Sequence, residues 1–392
     1  MTKSRFMSFD LMVGGAILFA WFCVAIASCT GVEQVSGRSN QAVKAEWVSI
    51  AAGKSHSLAI GSDGTLWVWG GNGVGQLGDG TTDERHLPVQ VGSDHDWRFA
   101  AARYAHTLAV KSDGTLWSWG GNGHGQLGNG TTNKRISPVK IGRDKWAWIA
   151  LGRFFSTGIK SDGTLWAWGG NGSGQLGDGT TTVRHAPVQV GTDKWIAVPA
   201  GSLHTIGIKL DGTLWAWGNN ESGQLGDGTT VNKYSPTRIS GEKWVWVAAG
   251  RSHSTAVKAD GTLWAWGANE VGQLGDGTTA EEHSPMRVNS GNTWVSISAG
   301  YFHTVALKSD GSLWAWGGNE VGQLGDGTVT MRHSPVQVSK EKKWTSAVAG
   351  YFHTVALRAD WTIWTWGLNE YGQLGDGTTD ERHSPVQTGN RP

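Results

Sequence analysis

One text written seven times constrains this chain more than anything else in it, because a faithful repeat is first a way of building a core. The first copy runs from Gly53 to Gly80. It reads Gly-Lys-Ser-His-Ser-Leu-Ala-Ile, then Ser-Asp-Gly-Thr-Leu-Trp-Val-Trp-Gly, then Gly-Asn-Gly-Val-Gly-Gln-Leu-Gly-Asp-Gly. The Leu-Trp-x-Trp-Gly core begins at Leu66 and returns at Leu116, Leu165, Leu214, Leu263 and Leu313, and as Ile363-Trp364-Thr365-Trp366-Gly367. Each unit opens on a tryptophan: Trp47, Trp97, Trp146, Trp195, Trp244, Trp294 and Trp344.

Within a unit the pattern is that of short strands. Trp47 to Ala52 is apolar. Ser55 to Ile60 alternates apolar and small residues, as a half-buried strand does. Asp63-Gly64 is a hairpin signal, since glycine accepts positive φ. The returning strand, Thr65 to Trp69, sets Leu66 and Val68 on one face and Trp67 and Trp69 on the other. A glycine-rich loop runs to Thr82, and Pro88-Val89-Gln90-Val91 is expected as a fourth strand opened by its proline. No helical period occurs in the repeats. Four short antiparallel strands per unit predict an all-β chain, a seven-bladed β-propeller of four-stranded blades over 47–392, with tryptophans packed between blades. Gln41 to Val43 is a candidate sealing segment.

The blocks Gly-x-x-His-(Ser/Thr)-x-Ala, Asp-Gly-x-Leu-Trp-x-Trp-Gly and Asn-x-x-Gly-Gln-Leu-Gly resemble the regulator of chromosome condensation repeat, from Trp47 to about Thr388. That resemblance implies the same seven-bladed propeller. A kelch propeller has a similar period, but the Gly-Gln-Leu-Gly block argues against it.

Composition then excludes several functions. The chain has 60 glycines in 392 residues, but they fall at fixed positions and so serve turns, not low complexity. Net charge is +1 and contains no dense basic patch, so nucleic acid is not an expected partner. The two cysteines, Cys23 and Cys29, both precede the repeats, which leaves the repeats without disulfide or thiol chemistry.

The N-terminus reads as an export signal. Lys3 and Arg5 precede an uncharged apolar run from Leu11 to Ala27. It ends in Ile26-Ala27-Ser28-Cys29, which resembles the lipobox of bacterial lipoproteins. The resemblance implies cleavage after Ser28 and lipid attached to the Cys29 sulfur. The expected organisation is a signal peptide over 1–28, a polar tether over 29–46 and the propeller beyond. An uncleaved membrane anchor and ordinary secretion are the alternatives, and all three place the repeats outside the cytoplasm.

Residues repeated once per unit are read as scaffold. Gly73-Val74-Gly75-Gln76-Leu77-Gly78 matches a dinucleotide fingerprint in form, but the turn Asp79-Gly80-Thr81-Thr82 follows where a helix would be needed. His56, His106, His204, His253, His303 and His353 share one position, with Phe155 as the seventh. They are expected to be structural, neither metal ligands nor bases. His86, His185, His283, His333 and His383 get the same reading. Asp79, Asp178, Asp227, Asp276, Asp326 and Asp376, with Asn129, read as Asx turns, with calcium the lesser alternative. No catalytic, cofactor or metal residue is assigned.

Positions that differ between units are the candidates for binding. After the glycine before each second strand stand Lys54-Ser55, Tyr104-Ala105, Arg153-Phe154, Ser202-Leu203, Arg251-Ser252, Tyr301-Phe302 and Tyr351-Phe352. Tyr104, Arg153, Phe154, Tyr301, Phe302, Tyr351 and Phe352 are the candidate partner-binding residues; packing at the channel mouth is the alternative. The glycine loops also split, with Gly73, Gly123 and Gly172 against Glu221, Glu270, Glu320 and Glu370, which makes one arc more acidic. Two residues break the repeat. Arg103 replaces a glycine and is expected to redirect its loop, and Trp361 replaces the hairpin glycine and is expected to impose another turn type.

The function these readings favour is an exported, lipid-anchored, monomeric scaffold that binds a protein through its rim loops, without enzymatic activity. Guanine-nucleotide exchange, implied by the family, needs a wedge insertion, and these units differ in length by only about one residue. Light sensing, as in the plant photoreceptor of the family, needs tryptophans where this chain has Lys54, Tyr104, Arg153, Ser202, Arg251, Tyr301 and Tyr351. A polysaccharide-active or glycan-binding propeller is the remaining alternative. Glu281, Glu282, Asp380 and Glu381 stand in variable loops but form no recognisable acid pair.

Overall fold

Alternation with period two and a turn every few residues leave only strands to build from. A computed structural model describes residues 46–288, 291 and 293–389. The leader, Cys29, the tether and Gln41–Val43 lie outside the described residues. Among the described residues there is no helix. The first unit is β1 (Trp47–Ala52), β2 (His56–Gly61), β3 (Leu66–Gly70) and β4 (Arg85–Gln90), antiparallel in that order. The fourth strand begins before its proline. Pro88 sits inside β4, on the stretch where pairing with β3 breaks between Val68 and Gly70, so its missing N–H removes no ladder bond.

The same four-strand unit recurs along the chain, yet the strands form six sheets. The reason is local. Arg184–Ala197 is one 14-residue strand that serves as the last strand of the third unit, pairing with Thr164–Gly169, and the first of the fourth, pairing with His204–Lys209. Elsewhere that connection turns at a residue such as Gly92 before the next tryptophan.

Burial within a unit runs from inside to outside. β2 is buried throughout, while β4 exposes His86 and Leu87. First strands of successive units lie against one another, which places them innermost. The two faces of β3 pack on different neighbours. Leu66 and Val68 meet Trp97 and Trp119 of the second unit, whereas Trp67 and Trp69 meet Val355, Leu357 and Ile363 of the seventh. The tryptophans are therefore the layer between units. Burying an aromatic side chain of this size contributes roughly 2–3 kcal/mol, and each unit has two such faces to cover. The seventh unit packs on the first with the contacts used between all other neighbours. Trp69 Nε1 donates to the Gln373 carbonyl at 2.9 Å, as Trp119 Nε1 does to Gln76 at 3.0 Å. Among the described residues each terminal unit takes its four strands from one stretch of chain.

The hairpin at Trp361 corrects the expectation of a different turn. Trp361 takes φ 64°, the conformation Gly64 has at 76°, and its N–H donates to the Arg358 carbonyl as that of Gly64 does to Gly61. Asp360 Oδ1 accepts from the Thr362 N–H and hydroxyl, as Asp63 does from Thr65, and this pair imposes the turn regardless of the residue between. A non-glycine residue held there costs about 1–2 kcal/mol. Trp361→Gly is expected to stabilise the protein by about 1 kcal/mol, since part of the indole contact is lost. A melting curve checks this, and an unchanged or lower midpoint would show that the indole's packing outweighs the strain.

Candidate interaction face

Glycine before the second strand has a steric cause. A Cβ on Gly53, Gly201, Gly250, Gly300 or Gly350 would fall on the imidazole three residues later. Those imidazoles are fully buried and link the units. Nε2 of His56 lies 3.0 Å from the Thr107 hydroxyl of the next unit, and His353 closes the series on Ser57 at 2.9 Å. His106, His204, His253 and His303 do the same with Ser156, Ser254, Thr304 and Thr354. Each hydroxyl spends its one proton on a glutamine carbonyl of the preceding unit, Thr107 on Gln76 and Ser57 on Gln373. The hydroxyl must therefore accept from the imidazole, which fixes the Nε2–H tautomer. Burial pushes all six histidines down to about 3. Phe155 takes the seventh place, buried against Val198 and Ala200. By contrast His86, His283 and His383 lie on the outer strands, half exposed beside Glu84, Glu281 and Glu381 at 3.6–3.7 Å.

The glycine-rich loop is held by its own side chains. Asn72 Oδ1 accepts from Leu77 N–H while its Nδ2 donates to Asp79 and to the Thr81 carbonyl, and Gln76 Oε1 accepts from Val74 N–H. Asp79 Oδ1 accepts from Thr81, and Oδ2 meets Arg85 at 2.8 Å. Burial pushes the Asp79 carboxyl up, but the Thr81 and Arg85 hydrogen bonds outweigh it and hold the carboxyl below its usual range. No cluster of three histidine, cysteine or carboxylate residues suited to a metal occurs among the described residues.

With those positions consumed by the scaffold, the variable pairs stand out, and the turns that carry them share one face with the glycine loops. Gly170 lies against Phe154 and His124, and Gly71 against Ser55 and Tyr371. The acidic arc of exposed Glu221, Glu270, Glu320 and Glu370 is on this same face.

The candidate residues meet as one cluster near the centre. Tyr104 contacts Phe154 at 5.0 Å and Tyr351 at 5.9 Å between ring centres. Tyr351 stacks obliquely on Tyr301 at 4.7 Å, and Tyr301 touches Phe302 and Phe352. Tyr351 is buried at 4% exposure, and burial pushes its phenol up. It thus packs at the centre, while Tyr104, Phe154, Tyr301, Phe302 and Phe352 remain half-buried.

Cations lie on these rings. Arg153 sits over Tyr104 and Phe154 at 5.2 and 4.9 Å, Arg251 over Tyr301 and Phe302 at 4.9 and 5.0 Å, and Lys54 over Tyr104 at 5.5 Å. Arg103 reaches furthest. Its Nη1 donates to the Ala249 carbonyl, three units away, at 3.0 Å. Nε and Nη2 are buried without a hydrogen-bond partner, and the guanidinium faces Tyr351 at 6.0 Å. The loop is redirected as expected: the strand continues through Arg103, and Tyr104 turns at φ 48°. Sequence reasoning noted Arg103 as a lost glycine but missed its reach to the centre. The signal was a long cation at the innermost turn.

Four-stranded antiparallel units packed side by side through tryptophan faces, with variable turns converging at the centre, define a β-propeller. The chain belongs to the RCC1-like domain family, whose model matches residues 27–295 and 184–391. Among solved structures it is similar to Prp20p of Saccharomyces cerevisiae, at 24% identity and TM-score 0.76 over 85% of this chain and 88% of that one. The same yeast protein bound to Kap60 matches at 22% identity and TM-score 0.75, over 92% and 91%. Human WBSCR16 matches at 22% identity and TM-score 0.74, over 83% and 94%.

Proposed function

We propose that this protein is a non-catalytic scaffold that binds another protein through the face carrying Tyr104, Arg153, Phe154, Tyr301, Phe302 and Phe352. The observation that carries the reading is that half-exposed aromatic rings from four units meet in one patch there, while the residues repeated in each unit are spent on turns and on contacts between units. Half-buried aromatic clusters are where binding energy concentrates. Prp20p, of the same fold, binds Gsp1p and histones. The contact between the seventh and first units supports one closed ring of seven blades, which would hold the patch rigid. The leader supports export, with the Cys29 lipid as anchor and the propeller facing away from the cytoplasm as a monomer. A catalytic role is disfavoured because the regularly placed carboxylates, such as Asp79 and Asp178, are tied to threonine and arginine.

The test is affinity capture from the cell envelope with the full chain in detergent as bait, beside Tyr301→Ala/Phe302→Ala/Phe352→Ala. One partner captured by the parent and lost by a variant with an unchanged melting curve is the expected result. Equal capture by both would remove the function from this face.

A further inference from the structure

Binding faces are usually read from their aromatic rings, but the charges of this one say what kind of segment it would hold. Arg103, Arg153, Arg251 and Lys54 converge on the centre of one face, and among the described residues none forms an ion pair with a carboxylate. Many cations elsewhere in the repeat do pair: Arg85, Arg184, Arg332 and Arg382 on aspartates of their own loops, Lys111, Lys160 and Lys209 on aspartates at the opposite ends of the strands. A guanidinium buried without a counter-ion is costly. Arg103 adds two further costs, because it displaces a glycine that imidazole packing requires in other units, and it forces Tyr104 to positive φ. Its charge reaches far enough to depress the buried His204 and His253, although burial is the larger cause for both. A position that breaks the repeat at three local costs, returned structurally only by the bond to the Ala249 carbonyl and the contact with the Tyr351 ring, points to selection for function.

We propose that this centre receives an acidic peptide segment of the protein partner, with carboxylates on Arg153 and Arg251 and apolar side chains against Phe302, Phe352 and Phe154. Arg153 and Arg251 each rest over two aromatic rings at 4.9–5.2 Å, so their forks are restricted in place for planar carboxylates. Arg103 lies beneath Tyr351 and does not itself reach the ligand. It raises the positive potential from a region of low dielectric, where a charge acts more strongly than at the surface. A peptide fits better than a uniformly charged polymer because cations and apolar rings alternate across the patch. The surrounding arc of Glu221, Glu270, Glu320 and Glu370 would repel a polyanion that overran the centre.

The inference rests on the scaffold reading, and its test is separate. The full chain in detergent is titrated at low and at physiological salt with a blocked peptide alternating glutamate and phenylalanine, with the same peptide carrying glutamine, with succinate and with heparin. The glutamate peptide is expected to bind at least tenfold more tightly than the glutamine peptide or succinate, and to weaken with salt. Arg153→Gln/Arg251→Gln is expected to lose at least tenfold with its melting point unchanged. Arg103→Gly restores the repeat glycine, so it is expected to melt no lower than the parent and still bind the peptide several-fold more weakly. Equal binding of the two peptides, no effect of the double variant, or no binding at millimolar peptide would overturn the proposal. Heparin binding more tightly than the peptide would replace it with a polyanion site. Peptide binding by a chain that captures nothing keeps the site and removes the scaffold, whereas capture without peptide binding does the reverse.

Discussion

Acid is expected to unfold this protein well before its carboxylates titrate. Six fully buried histidines are held at about 3 by burial, against 6.5 for the free side chain. A folded value below the unfolded one means that the unfolded chain binds the extra protons. The stabilisation is therefore complete above pH 6.5 and is lost as pH falls from there towards 3. Between pH 7 and pH 5 each histidine is expected to cost about 2 kcal/mol, or roughly 12 kcal/mol for six. A domain has a total stability of about 5–15 kcal/mol, so most of it should be gone by pH 5. The geometry gives the reason. Nε2–H is committed to a hydroxyl, and Nδ1 of each ring is buried without a partner, so a proton placed there would be a buried charge with nothing to receive it.

The measurement is the free energy of unfolding by denaturant at intervals between pH 7.5 and pH 5. A slope near 8 kcal/mol per pH unit at its steepest would correspond to six protons taken up on unfolding. The carboxylates Asp79, Asp178, Asp326 and Asp376 work in a different window. Burial pushes them up and their hydrogen bonds outweigh it, so their folded values lie below 3.8 and their contribution is lost only as pH falls below about 4. A slope of one proton or fewer above pH 5 would mean that the histidines are not held neutral by the interfaces between units.

The part of this fold that depends on local chemistry was legible in the sequence. The sorting of Leu66 and Val68 from Trp67 and Trp69 follows from the period of a strand, and the two pairs do face different neighbours. The Asp63-Gly64 turn was legible from its glycine, which takes φ 76°. What stayed hidden depends on how units sit against each other. His56 was legible as structural, yet its partner is Thr107 across an interface that no single unit contains. The turn at Trp361 was not legible because its determinant is the Asp360–Thr362 pair and not the glycine that the other units place there. The candidate rings were found because they vary where the scaffold leaves them free. The division between buried Tyr351 and half-exposed Phe352, neighbours in sequence, was set by which of them points to the centre. The reach of Arg103 to Ala249 spans three units and needed their placement.

The proposed closure of the units into a ring makes a second large effect predictable. Trp69 and Trp266 are equivalent positions, both with no solvent exposure. Trp69 joins the first unit to the seventh, with its Nε1 on the Gln373 carbonyl at 2.9 Å and its ring among Val355, Leu357 and Ile363. Trp266 joins the fifth unit to the fourth, with Nε1 on Gln224 at 3.0 Å and its ring among Ile206, Leu214 and Leu225. Truncating a buried tryptophan costs about 3–5 kcal/mol, and the lost hydrogen bond is part of that cost. Trp69→Ala and Trp266→Ala are each expected to lose about 4 kcal/mol and to agree within about 1 kcal/mol, measured by denaturant unfolding at pH 7.5. In an open array Trp69 would already face solvent at one end, and its truncation would cost under about 1 kcal/mol. That outcome would open the ring and leave the binding patch without the frame that sets Tyr301 and Tyr351 of the last units against Tyr104 of the second.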